Sequence, residues 1–221
     1  MDSASKEKLK KALLAGNFES LPAIGKSNQI MRQLISFSYD RSGLLSRRAI
    51  EAAGFLAARL KHGEAHDVIE RLFVMMRDES GGNPWSAPEL IGEILRAHLR
   101  PLGHLIPILV SFHGEAIFTA GILSALARIA TDAPDSVLPY RELAFVCLKS
   151  HNPEVRANAL MIMKGLRDST YISEIAKMMR DQEPVLFYDG RSLSASTVGD
   201  IARFVYEEII KDNSQAHGEA L

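Results

Sequence analysis

Apolar residues return at spacings of three and four along nearly the whole chain, and the helices they describe come in pairs. One face is apolar in each of Ile30/Leu34/Phe37, Ile69/Leu72/Phe73/Met76, Leu102/Leu105/Ile106/Leu109/Val110, Leu143/Val146/Cys147 and Ile172/Ile175/Ala176/Met179. After each of the first four comes a polar turn, then a second helix richer in alanine. These second helices read 45–60, 85–98, 117–129 and 155–166. Small residues hold matching places in them, at Gly54, Gly92, Ala127 and Gly165, with spacings of 38, 35 and 38 residues. A helix pair of this size cannot cover its own apolar face, so the next pair must stack on it. A period of this length built from two antiparallel helices predicts an all-α fold, a right-handed α-solenoid (α-α superhelix). Ala127 and Ala159 are expected between packed helices.

The composition agrees with a folded chain. Of the 221 residues, 47% are hydrophobic and 24% charged, ample apolar surface to offset the entropy of ordering. A single cysteine, Cys147 in an apolar run, excludes a disulfide framework and is expected as a buried small hydrophobe. The seven histidines show no HExxH spacing, so no metal and no cofactor is expected. Gly25-Lys26-Ser27 lacks the first glycine of a phosphate-binding loop, since Ser20 stands in its place. The chain opens on acids and lysines without an apolar core segment, and its most apolar stretch, 116–130, is too short to span a bilayer. The expectation is a cytoplasmic protein with no membrane partner.

The net charge is −1, which argues against coating nucleic acid. Its distribution is uneven: residues 1–62 carry 11 Lys/Arg against 5 Asp/Glu, and residues 63–221 carry 15 against 22. A basic end on an acidic body can steer an anionic partner in a salt-dependent way.

The last segment departs from the helical period. Val185-Leu-Phe-Tyr188, Asp189-Gly190 and Arg191 to Thr197 alternate around an Asp-Gly pair, which predicts a two-residue hairpin at 185–196, with both turn residues at positive φ. Thr197 is placed to cap a closing helix over 198–210 with Asp200 near its start. The predicted organisation is one repeat domain over 1–210, comprising an N-terminal cap (1–27), repeats (28–180), and a hairpin with its capping helix (181–210). A flexible tail follows over 211–221.

Leu34-Ile-Ser-Phe-Ser-Tyr-Asp40 followed by Leu45-Ser-Arg-Arg-Ala-Ile-Glu-Ala-Ala-Gly54 resembles a HEAT repeat, as does Asn152-Pro-Glu-Val-Arg156 leading into Ala157-Asn-Ala-Leu160. The resemblance covers roughly residues 28–180 and implies a HEAT-like solenoid. The segment Asp78-Glu-Ser-Gly-Gly-Asn-Pro-Trp-Ser-Ala-Pro-Glu-Leu-Ile-Gly-Glu-Ile94 is similar to one in a group of uncharacterised bacterial HEAT-like proteins, a likeness that implies no activity.

That segment holds the best candidate site. Asp78 and Glu79 precede Gly81 and Gly82, whose backbone is free to approach a ligand. Trp85, Glu89, Glu93 and Arg96 then follow at spacings of four, four and three, one stripe on one helix. An aromatic plate beside two carboxylates can hold a cationic or peptide-like ligand. Arg48, with Arg47 and Arg156, sits at a related helix start and is expected at the border of the same groove or bonded to a neighbouring turn. The function expected is a non-catalytic scaffold or adaptor for a protein or peptide segment on a concave face, with no catalytic residue assigned. Two alternatives are a DNA-repair glycosylase-like and a bilin-lyase-like HEAT protein, both resting on resemblance of fold.

Overall fold

The computed structural model describes residues 1–40, 43–77 and 85–218, the last six by their backbone alone. It is mostly helical, with one two-stranded sheet among the described residues. The chain divides into two compact units. One unit comprises residues 1–125 with 188–193; the other comprises 126–187 with 194–221.

In the first unit, α1 (Ser3–Leu14) begins under Asp2, whose Oδ1 accepts the Ser5 N–H at 2.8 Å. It stops at Gly16, whose φ of 68° continues the chain in the left-handed region while Asn17 N–H returns to Ala12 O at 2.9 Å. A 3₁₀ turn (Phe18–Ser20) and α2 (Leu21–Ile24) lead to α3 (Ser27–Phe37) and α4 (Leu44–Ala57). Next come α5 (His62–Met76) and α6 (Ala87–Ala97). The sequence reading expects one helical face over Leu102–Val110. The structure instead breaks it into α7 (Leu99–Leu102), a 3₁₀ turn (Gly103–Leu105) and α8 (Ile106–Ser111). Pro107 sits in the first turn of α8, where its missing N–H is tolerated, so the helix restarts there. α9 (Ala116–Asp132) follows, its residues 116–125 in this unit.

The core of this unit is built around α6. Every residue from Ala87 to Leu95 is buried, with α4 on one side and α5 and α8 on others. A Cβ placed on Gly54 of α4 would come within 2.9 Å of Glu93 Oε2, and one placed on Gly92 of α6 would collide with Ala125 of α9. Two of the small residues singled out by their spacing are therefore points where helices touch without side chains between them.

In the second unit, α10 (Arg141–Cys147) precedes α11 (Pro153–Leu166), and α12 (Ile172–Met178) follows. Asn152 caps α11 by accepting the Glu154 N–H at 2.9 Å. Gly165 lies against the backbone of Ala130 and Thr131, and Ala127 and Ala159 are buried as expected. Cys147 is buried too, and burial pushes its thiol pKa up. The expected apolar face of α10 is corrected: Val146 is 65% exposed, while Ala144 and Cys147 are the buried residues of that helix. Arg156 ties the start of α11 down by donating to Asp181 Oδ2 at 2.8 Å and to Ser150 O at 2.7 Å.

β1 (Pro184–Tyr188) and β2 (Leu193–Thr197) form the expected hairpin. Its turn corrects the sequence reading. Four residues separate the strands, and of the Asp-Gly pair only Gly190 has positive φ, at 90°. The Asp189 carboxylate accounts for the longer turn: Oδ1 accepts the Arg191 and Ser192 N–H groups, each at 2.7 Å. Thr197 caps α13 (Val198–Gly218) as expected. Its Oγ1 accepts the Asp200 N–H at 3.1 Å, and Asp200 Oδ2 accepts the Thr197 N–H at 3.2 Å. α13 runs past Ile210, the end expected for it.

Candidate functional site

The start of α6 is held by a knot of serines. Ser38, Ser46 and Ser86 are all buried. Ser86 Oγ donates to Ser38 Oγ at 2.7 Å, Ser38 Oγ donates to Ile35 O at 2.8 Å, and Ser46 Oγ donates to Ser38 O at 3.0 Å. The knot joins the end of α3, the start of α4 and the residue before α6. With all three hydroxyls bonded out of water, it fixes the chain entering α6. The pattern of apolar residues gives no hint of it, because serine carries no helical-period signal.

Trp85 stands next to this knot and is 52% exposed. The helix it introduces turns the other way: Glu89 is 4% exposed and Glu93 is 5%. The predicted stripe is thus divided between solvent and core. Glu93 lies against Gly54 of α4 and accepts from Arg96 Nη1 at 2.8 Å. Glu89 lies against Gly121 of α9. The two carboxylates are one turn apart yet meet different neighbours, each in space left by a glycine. Charged groups this buried require nearby polar or cationic groups, and Arg96, 28% exposed, supplies one from the last turn of the same helix. At the far end of α6, His98 Nε2 lies 2.7 Å from Ala57 O.

Tyr39 is a second exposed aromatic at this end of the unit, next to Ser38 as Trp85 is next to Ser86. Apolar spacing gives no sign of it, because Tyr39 falls past the end of α3, where periodicity stops. Asp78, Glu79, Gly81 and Gly82 lie outside the described residues.

Arg48 is placed elsewhere, on α4 beside the hairpin tip. Its Nη1 donates to Gly190 O at 3.1 Å and its Nη2 to Arg191 O at 2.7 Å, with Glu51 Oε2 3.5 Å away. Tyr188 Oη donates to the same Glu51 oxygen at 2.6 Å, and the guanidinium lies over the Phe18 and Tyr188 rings. Arg48 therefore serves as a joint in this unit. The structure unites Trp85, Glu89, Glu93 and Arg96 on one segment and gives Arg48 to another cluster.

Among the described residues, no helix is long and apolar enough to cross a membrane, and no group of three or more His, Cys, Asp or Glu is placed to hold a metal ion. No family model matches the chain, and no solved structure matches it. The chain is similar to an uncharacterised protein of Archaeoglobus fulgidus, with 29% identity over 182 residues, covering 80% of this chain and 95% of that protein.

Proposed function

We propose that this chain is a HEAT-like, right-handed α-solenoid that works as a non-catalytic cytoplasmic scaffold, holding a protein or peptide segment on its concave face at the head of α6. The observation that carries the proposal is the exposure of Trp85. An indole is costly to leave in water, and here it stands half exposed beside a helix that is otherwise buried. The serine knot at the adjoining Ser86 ties the backbone there to α3 and α4, which lowers the ordering entropy lost when a partner covers the ring. In this reading Glu89, Glu93 and Arg96 hold α6 in place, and Trp85 makes the contact. The direct approach of α4 to α6 through Gly54 is what supports the stacked-pair arrangement.

Trp85→Ala is the test. Proteins captured from native lysate by the wild-type chain should be depleted from the variant's capture, and a captured partner should bind the variant weaker by about 2 kcal/mol or more. The melting temperature should hold, because the ring is half in solvent. Loss of fold in Trp85→Ala, or equal capture by both chains, would sink the proposal.

A further inference from the structure

A second surface lies in the first unit, and neither Trp85 nor any residue of α6 lines it. α4 and α6 pack directly, but α3 and α5 are separated by a groove of about 560 Å³. Its apolar lining is Met31, Ile35, Leu60, Val68, Leu72 and Met75. Met31, Val68 and Leu72 are buried, while Ile35, Leu60 and Met75 are partly open to solvent. Thioethers on both walls adapt to differently shaped apolar anchors.

The rim carries charge. Lys26 just before α3, Arg32 on α3 and Arg71 on α5 are exposed along it, with Glu64 and Asp67 as the acids. Among the described residues Lys26 and Arg32 take part in no ion pair, whereas Glu64 Oε2 is already occupied by the Lys61 N–H at 2.9 Å. No side chain caps α3 at its N-terminal end, so the partial positive charge of its first turn, at Ser27 and Asn28, also borders the groove. The rim is therefore a net electropositive border around an apolar trough. From Lys26 to Ile35 the wall is about 14 Å long at 1.5 Å per residue, the length of two to three turns of a docked helix.

We infer that the α3–α5 groove binds an acidic amphipathic helix of a partner protein, its apolar residues on the Met31–Met75 lining and its carboxylates against Lys26, Arg32 and Arg71. The mode is helix-in-groove recognition, with charge setting the choice of partner.

The experiment is a selection on the folded full chain. The probe is a display library of helical peptides with leucines fixed one turn apart and flanking positions drawn from Glu, Lys and Ala. Wild type should enrich Glu over Lys at the flanks at least tenfold. The double variant Arg32→Glu/Arg71→Glu, both on exposed positions, should invert that preference with circular dichroism unchanged. Met75→Glu should weaken the selected peptides at least tenfold, and Trp85→Ala should leave them unaffected, which separates this surface from the one at α6. The inference is overturned by an absence of enrichment, by equal enrichment of Lys, or by a preference that survives the double charge reversal. Vesicles of phosphatidylglycerol binding in an Arg32/Arg71-dependent way, with no peptide selected, would overturn it in favour of a membrane surface.

Discussion

A methyl group added at Gly92 would meet the Cβ and Cα of Ala125 far inside van der Waals contact. Both partners are backbone or first side-chain atoms in buried helices, so neither can turn away. Gly92→Ala should therefore cost about 1–3 kcal/mol, read as a lower urea midpoint with an unchanged slope. The position was visible beforehand as one of four small residues at matching places, because close helix approach demands a small side chain whatever its neighbour is. What could not be foreseen was the fate of Glu89 and Glu93. At spacings of three and four, a carboxylate stripe normally marks the wet face of a helix. Here α6 has no wet face between Ala87 and Leu95. Periodicity reports contrast between faces, and a helix surrounded on all sides offers none. Trp85 escapes because it precedes the helix.

At the scale of elements, the hairpin tip depends on one arginine. Arg48 is 12% exposed in its side chain and donates to two carbonyls that nothing else in its cluster can serve in the same fork geometry. Arg48→Lys should keep the charge yet lose one of the two bonds and the ring contacts, costing about 1–3 kcal/mol and speeding amide exchange at residues 189–192. Asp189 adds a pH dependence to the same turn. The N–H groups of Ser192 and Arg191 hold its carboxyl below the usual carboxylate range. Its stabilising effect on the turn is thus complete above the unfolded-state pKa and is lost as pH falls through the lower folded-state value. An NMR titration of the Arg191 and Ser192 amides should show that acid transition, and Asp189→Asn should abolish it. The hairpin itself was legible from alternation around Asp-Gly. Its four-residue turn was not, since side-chain capping of the next amides competes with the tighter turn and leaves no mark in the pattern. Proline and glycine likewise explain why the run over Leu102–Val110 kept its apolar period but not a continuous helix: the side chains still face the core from separate short pieces.

At the scale of the whole molecule, helical class and the terminal hairpin were legible because each rests on local period and turn chemistry. The two compact units rest on long-range packings, which leave no local mark in a sequence. Exposure is the other quantity that sequence conveys poorly, and it is what gives Trp85 a further use. The chain has one tryptophan in 221 residues, so all of its indole emission arises at the head of α6. A half-exposed ring should emit at long wavelength in the native state and be quenched by acrylamide without unfolding. Denaturation should shift the spectrum little, making the signal a poor gauge of folding. A partner seated on α6 should shift emission to the blue and shield it from quencher, whereas a helix in the α3–α5 groove should leave it unchanged. The unlabelled protein thus carries its own optical reporter, silent to stability and sensitive to one of its two surfaces.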